Sequence, residues 1–411
     1  MNIIITGANL INKGAQSMLF VTVDQLTRYF PDANIFYATY RGDSVKEYTF
    51  KRLYWDPFVK NLFIYDKHNL AVTVKQELIN ITKYVLRKTP EYNSIKKSAD
   101  VIKKASFIVD ISGYALSDKW GYEYNEGYLD NIRIAKKLGI PIFLMPQSFG
   151  PFEYKNMNSE KANILRNDIK NLLPYCSVIF AREIQSKENL RELDVNKVII
   201  SHDLVLQTAC VDYKNVIRAY KGSNLKSNLL LKPNSIAIIP NQQIAKRGYK
   251  DLLVREYAAV VEVVKQNNYN VYIVKHSGED DELCQYAYKE LAQNYDINYI
   301  NADMECYEYS ELVKGFSLVI SSRFHAAVHA IKEDVPTIAI GWAVKYKELM
   351  ESVGQGNYSI DITDNYTNGS LAKLAEEMIQ SLSTSKEIIR ESLNAIQSNS
   401  CFDTVFNEMG R

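Results

Sequence analysis

The chain has 411 residues, 46% of them hydrophobic and 24% charged, with 49 Lys and Arg set against 48 Asp and Glu. That length exceeds one comfortable core and predicts two domains, and the apolar content excludes a disordered chain. A charge balance so close to zero removes any global electrostatic case for a nucleic-acid partner. Five cysteines, Cys176, Cys210, Cys284, Cys306 and Cys401, share no metal-ligand spacing and read as reduced thiols of a cytoplasmic protein. The 29 tyrosines offer flat faces with a hydroxyl, which suit carbohydrate surfaces as well as ordinary half-buried packing.

In chain order, "MNIIITGANL" enters a strand without the basic region and long apolar core of a signal peptide. No window reaches the roughly 18 uninterrupted apolar residues of a membrane span. Apolar runs predict strands at 2–6, 34–39, 106–112, 141–146, 177–181 and 197–201, alternating with helices at 15–29, 127–138 and 159–173. The strands are apolar along their length, as parallel strands covered on both faces are. Segment 71–89 is an amphipathic helix, basic at one end; packing on its own domain is the first reading, and peripheral contact with a bilayer is the second. Residues 211–234 lose the rhythm and gather Lys, Asn and Ser, which predicts a linker. Strands then resume at 235–240, 270–276, 297–300, 317–322 and 336–342, with helices at 249–267, 280–294, 308–315 and 325–333. The expected fold is α/β, two Rossmann-like domains (1–210 and 235–380) facing a cleft, joined by the linker and followed by C-terminal helices over 381–411. In such sheets chemistry collects at the carboxyl ends of strands.

Those ends are informative. After the first strand, Asn12 and Gly14 lie in a glycine-bearing turn that could present backbone amides to an anion. After the third, Asp110 is placed to take a proton from a sugar hydroxyl, with Gly113 and Tyr114 beside it. "PQSFGPF" offers Gln147 and Ser148 for hydrogen bonds in a loop stiffened by prolines, and Arg182 supplies a fork for phosphate or carboxylate. His202 and Asp203 end the next strand. In the second half Asn241, Lys246, Lys275, His276, Asp280 and Asp281 follow strands, and "SSRFHAAVHAI" places Ser322, Arg323 and His325 between a strand and a helix, where Arg323 and His325 can face one anion. His329, one turn further, reads as a core residue. Its spacing from His325 raises zinc, but Ala326 stands where a metalloprotease motif needs Glu, so no metal is expected.

The strand-end segments "NKGAQ", "DISGYALSD", "PQSFGPF", "ARE", "SHD", "IPN", "HSGEDD", "SSRFHAAVHA" and "VPTIAIGWAVKYKELM" together resemble the polysaccharide pyruvyl transferase family over most of the chain. The resemblance implies a fold like the GT-B glycosyltransferases and transfer of the pyruvyl group of phosphoenolpyruvate to two sugar hydroxyls as a cyclic ketal. It makes 1–210 the acceptor side and 235–380 the donor side, and it implies that Arg323, His325 and Arg182 bind phosphoenolpyruvate. The family's glycine-rich turn is here "ISGYALSD", with a single glycine.

This chemistry suits the residues already found. Carboxylate and phosphate need cationic clamps, for which Arg182, Arg323 and Lys246 serve, with Ser322 beside them. His325 is the expected acid for the methylene carbon and Asp110 the expected base. Asn12, Gly14, Gly113, Tyr114, Gln147 and Ser148 are expected to hold the acceptor, a galactose or hexosamine residue of a bacterial surface polysaccharide or of its lipid-linked precursor at the inner face of the membrane. His202, Asp203, Asn241 and His276 are further candidates. Phosphoenolpyruvate is a co-substrate, and no cofactor is called for. The alternatives are a GT-B glycosyltransferase using a nucleotide sugar and a non-catalytic carbohydrate-binding protein.

Overall fold

A computed structural model describes residues 1–40, 44–64, 90–222, 231–341, 344–363 and 366–410. The amphipathic segment 71–89 and residues 223–230 of the expected linker lie outside them. Two parallel sheets organise the chain. The first contains β1 (Asn2–Thr6), β2 (Asn34–Thr39), β3 (Lys51–Tyr54), β4 (Phe107–Asp110), β5 (Ile142–Gln147), β6 (Val178–Ala181) and β7 (Val198–Ile200), in the order β3-β2-β1-β4-β5-β6-β7. The second contains β8 (Ser235–Ile239), β9 (Asn270–Val274), β10 (Asn298–Ile300), β11 (Leu318–Ser321), β12 (Thr337–Gly341) and β13 (Ser359–Asp361), in the order β10-β9-β8-β11-β12-β13. Each sheet reverses direction once, between β1 and β4 and between β8 and β11, and those switch points open crevices at the carboxyl ends.

The α/β expectation holds, and most of the predicted strands differ from the observed ones only at their ends. Two strands escape the apolar pattern. Both β3, "KRLY", and β13, "SID", are edge strands of three or four residues with little fully buried surface, so nothing requires them to be apolar.

The halves are not independent bodies. One apolar core runs from β1 and the helix Lys13–Tyr29, through Phe324, Val328 and Tyr346 of the second half, to Phe402 and Phe406 near the C-terminus. The last helix, Cys401–Met409, returns to the first half, where Phe406 stacks on Tyr29 at 4.1 Å. Among the described residues no helix is long and apolar enough to cross a membrane.

Candidate active site

Arg182 is the first residue past β6, where the chain leaves a fully buried strand, so its side chain has only the crevice to enter. Its Nη1 donates to Asp203 Oδ2 at 2.7 Å, and its Nη2 donates to the Gly113 carbonyl at 2.9 Å and to Ser148 Oγ at 2.8 Å. Ser148 Oγ in turn donates to Glu183 Oε1 at 2.6 Å. Gly113 and Ser148, expected on the acceptor, therefore orient a guanidinium. Phe324 of the second half covers it, its ring centroid 5.0 Å away.

His325 comes from the opposite side. The helix Phe324–Lys332 begins straight after β11 and sets the ring of its second residue against the first half. His325 Nε2 stands 3.8 Å from Asp203 Oδ2. Gly14 explains the close approach, because a Cβ there would overlap the His325 ring. Gly14 thus serves a contact between the halves rather than an acceptor. Burial, the largest influence, pushes the imidazole down to about 4; Asp203 opposes this, while Arg182, Lys345 and Arg323 add to it. Burial also disfavours an ionised Asp203, yet the charges of His325 and Arg182, with hydrogen bonds from Val205 N and Arg182, hold its carboxyl below the usual range.

Arg323 and His325 do not point at the same partner. Arg323 occupies the N-cap position of the helix without a side-chain capping bond, and its Nε donates to both Asp280 oxygens at 3.0 and 2.7 Å; its Nη2 reaches Asp280 and Glu279. Asp280 is fully buried and also accepts from Gln242 N at 2.9 Å. The guanidinium is held charged by these carboxylates against the cost of its burial.

One cation was not singled out from the sequence. Lys345 follows β12, and its Nζ lies 5.0 Å from the Phe324 ring centroid and 5.7 Å from that of Tyr114. Burial, then the neighbouring Arg182, lowers its pKa to about 8. The signal was available, since Lys345 sits in "AVKYKELM", just past a buried strand like the other candidates. Arg182, Glu183, His202, Asp203, Phe324, Lys345, Glu348, Leu349 and Ser352 line a pocket in the cleft; Arg323 and His325 are not part of that lining, and His325 stands behind it, 3.8 Å from Asp203. His202, inside the pocket, is held neutral by burial.

Several expected site residues do structural work instead. Asn12 caps the first helix, accepting from Gly14 N and Ala15 N at 3.0 and 3.2 Å. Asp110, 1% exposed, accepts from Thr6 Oγ1 at 2.7 Å, Ser112 N at 3.1 Å and Gln147 Nε2 at 3.3 Å; neither it nor Gln147 lines the pocket. Burial raises its pKa. Asn241 caps the turn after β8 and ties it to the Ser322 carbonyl at 2.8 Å, while Ser322 Oγ donates to the Ile239 carbonyl at 3.1 Å. Lys246 is exposed and outside the pocket lining. Tyr114 ties its hydroxyl to the Gly150 carbonyl at 3.0 Å, while its ring still faces Lys345 at the cleft. His276 is buried, its two ring nitrogens have no hydrogen-bond partner among the described residues, and its carbonyl accepts from Lys13 Nζ at 2.7 Å. As expected of a core residue, His329 is buried; it is bonded to Ser17 Oγ of the first half and Ser310 Oγ of the second, both at 2.9 Å.

A family model described as "Polysaccharide pyruvyl transferase" matches residues 12–343. No curated protein matches. Among solved structures, the Neisseria meningitidis UDP-GlcNAc 2-epimerase bound to UDP-GlcNAc is similar over 100% of this chain and 99% of its own, with a TM-score of 0.56 and 11% identity. The spinosyn rhamnosyltransferase SpnG is similar over 100% of both chains, with a TM-score of 0.52 and 11% identity. At such identity these likenesses establish the GT-B fold and nothing finer.

Proposed function

The chain belongs to the polysaccharide pyruvyl transferase family, and from that premise we propose that it moves the pyruvyl group of phosphoenolpyruvate onto two hydroxyls of one sugar residue, closing a cyclic ketal and releasing phosphate. The observation that carries this reading is the convergence of Arg182 and His325 on the Asp203 carboxylate, with Lys345 in the same pocket lining as Arg182 and Asp203, at the carboxyl ends of β6, β11 and β12. Phosphoenolpyruvate bears a carboxylate and a phosphate on three carbons and needs cations on more than one side.

In the proposed reaction Arg182 and Lys345 clamp the donor, and Arg323 adds its charge from the Asp280 side. His325, neutral in the free protein, becomes protonated beside the bound anion, because an adjacent negative charge favours the charged imidazole. It gives that proton to the methylene carbon, which becomes a methyl group while C2 becomes oxocarbenium-like. The first sugar hydroxyl adds to C2, and the imidazole, now neutral, takes the hydroxyl proton. The C2–O bond to phosphate then breaks, the second hydroxyl adds to the same carbon, and its proton leaves with phosphate. Asp203, 3.8 Å from the ring and without a hydrogen bond to it among the described residues, supplies the negative charge that favours the imidazolium. This assigns to His325 the base role that the sequence alone gives Asp110, whose oxygens already hold Thr6, Ser112 and Gln147. The acceptor is a galactose or hexosamine residue of a surface polysaccharide or its lipid-linked precursor.

Incubation with phosphoenolpyruvate and a panel of β-galactosides and hexosamine glycosides tests the reading. Mass spectrometry is expected to show the added pyruvyl group with equimolar phosphate release. Stabilisation by a nucleotide sugar without any by phosphoenolpyruvate would sink it.

A further inference from the structure

An aromatic run that the proposed chemistry does not use leads away from the pocket. It starts at Tyr114, whose ring centroid is 5.7 Å from Lys345 Nζ. Trp120 meets Tyr114 edge-on at 6.0 Å, and Tyr124 follows at 5.1 Å from Trp120, tilted by 33°. The two outer rings are 37% and 55% exposed. Adjacent large rings left in solvent at the mouth of a reaction cleft are a contact surface in waiting.

These rings are also held in place. Trp120 Nε1 donates to the Tyr114 carbonyl at 3.1 Å. Underneath, the fully buried Asn125 donates to the carbonyls of Ser117, Trp120 and Gly121 at 3.0 to 3.1 Å and accepts from Ser117 N and Tyr154 Oη, each at 3.1 Å. The loop is thus braced by a buried amide without its rings being buried. A platform rigid before binding loses little freedom when a ligand arrives.

Flat, rigid, amphipathic rings suit a pyranose, which lays its C–H face on an aromatic surface and keeps its hydroxyls at the rim. We propose that Trp120 and Tyr124 form a second sugar subsite, so that the residue receiving the ketal sits at Tyr114 and the next residue of the same glycan stacks on Trp120 and Tyr124. The acceptor is then a chain of at least two sugars. This inference rests on transfer to a sugar at the cleft, as proposed above.

The test reads binding without turnover. Trp120 is one of three tryptophans, and Trp55 is buried with its Nε1 on Asn131. Intrinsic fluorescence is followed during titration with methyl β-galactoside and methyl N-acetyl-β-glucosaminide, and with methyl β-lactoside and N,N′-diacetylchitobiose. A saturable change is expected with at least one disaccharide, at about tenfold lower concentration than with its monosaccharide, and Trp120→Ala and Tyr124→Ala should each remove that advantage. Trp120→Phe keeps a ring, so calorimetry should find the disaccharide still preferred after the optical change is lost. A phosphoenolpyruvate-induced thermal shift of wild-type size shows that each variant is folded. Equal affinity for both sugar lengths, wild-type disaccharide affinity in both alanine variants, or no response to any of the four glycosides would overturn the subsite. Pyruvyl transfer at wild-type acceptor KM in Trp120→Ala discards the subsite and leaves the transferase reading standing. A Trp120-dependent disaccharide response without phosphate release does the reverse.

Discussion

The charge of Arg323 is anchored by Asp280, a fully buried carboxylate that grips the Nε edge of the guanidinium from behind. Asp280 touches no substrate in the proposed reaction and acts by positioning. Asp280→Asn keeps the shape and removes the charge, so KM for phosphoenolpyruvate is expected to rise about tenfold with kcat changed far less, the loss of one charge-assisted hydrogen bond. Asp280→Glu should recover part of that loss, and steady-state kinetics with donor varied at fixed acceptor reads both. Lys345 makes a pH prediction. With its pKa lowered to about 8, its charge is present below that pH and lost above it. The kcat/KM for phosphoenolpyruvate should therefore fall as pH rises through about 8, and Lys345→Arg should move the fall to higher pH. An unshifted fall in the arginine variant would assign the titration elsewhere.

Among elements, the helix Lys13–Tyr29 belongs to the first sheet by sequence yet makes much of its polar contact with the second half. Lys13 bonds the His276 carbonyl, Gly14 abuts the His325 ring, and Ser17 bonds His329. The "NKGAQ" turn resembles an anion loop in sequence, but its Asn12 caps the helix and its glycine admits an imidazole. His329, bridged between Ser17 and Ser310, is pushed down to about 3, burial being the chief cause. The unfolded chain titrates this group near the ordinary value of 6.5, so between those two pH values the unfolded state holds more protons than the folded one. Stability therefore falls as pH falls through that window, by up to about 1.4 kcal/mol per pH unit for one group. Urea unfolding across the window should show the decline, and His329→Gln should make it shallower.

For the whole molecule, the proposed donor site exists only where two sheets meet, since Arg182 and Asp203 come from one half and His325 and Lys345 from the other. Binding of phosphoenolpyruvate should thus stabilise both halves together, by about 2.7 kcal/mol when the ligand is at 100 times its Kd. Arg182→Ala and Arg323→Ala should each abolish most of the thermal shift, with the double variant no worse than the weaker single one; a shift that survives either change would place the anion within one half. How much of this is legible from residues alone follows from what each feature depends on. Apolar runs report local burial, so the chain by itself determined the two parallel sheets, their order along the sequence, and the strand-end residues Arg182, His202, Asp203 and His325. It missed β3 and β13 because short edge strands need no apolar pattern. Lys345 lay in plain view just past a buried strand, the same local signal that marks Arg182. Only the tertiary structure decided which strand ends share a cleft, that Arg323 turns to Asp280 while His325 turns to Asp203, and that Asp110, Asn12 and Ser322 are occupied with holding the fold. The reason is physical: a side chain's type follows from its codon, but its partner is set by which elements the fold packs together, and the sequence carries no direct record of that.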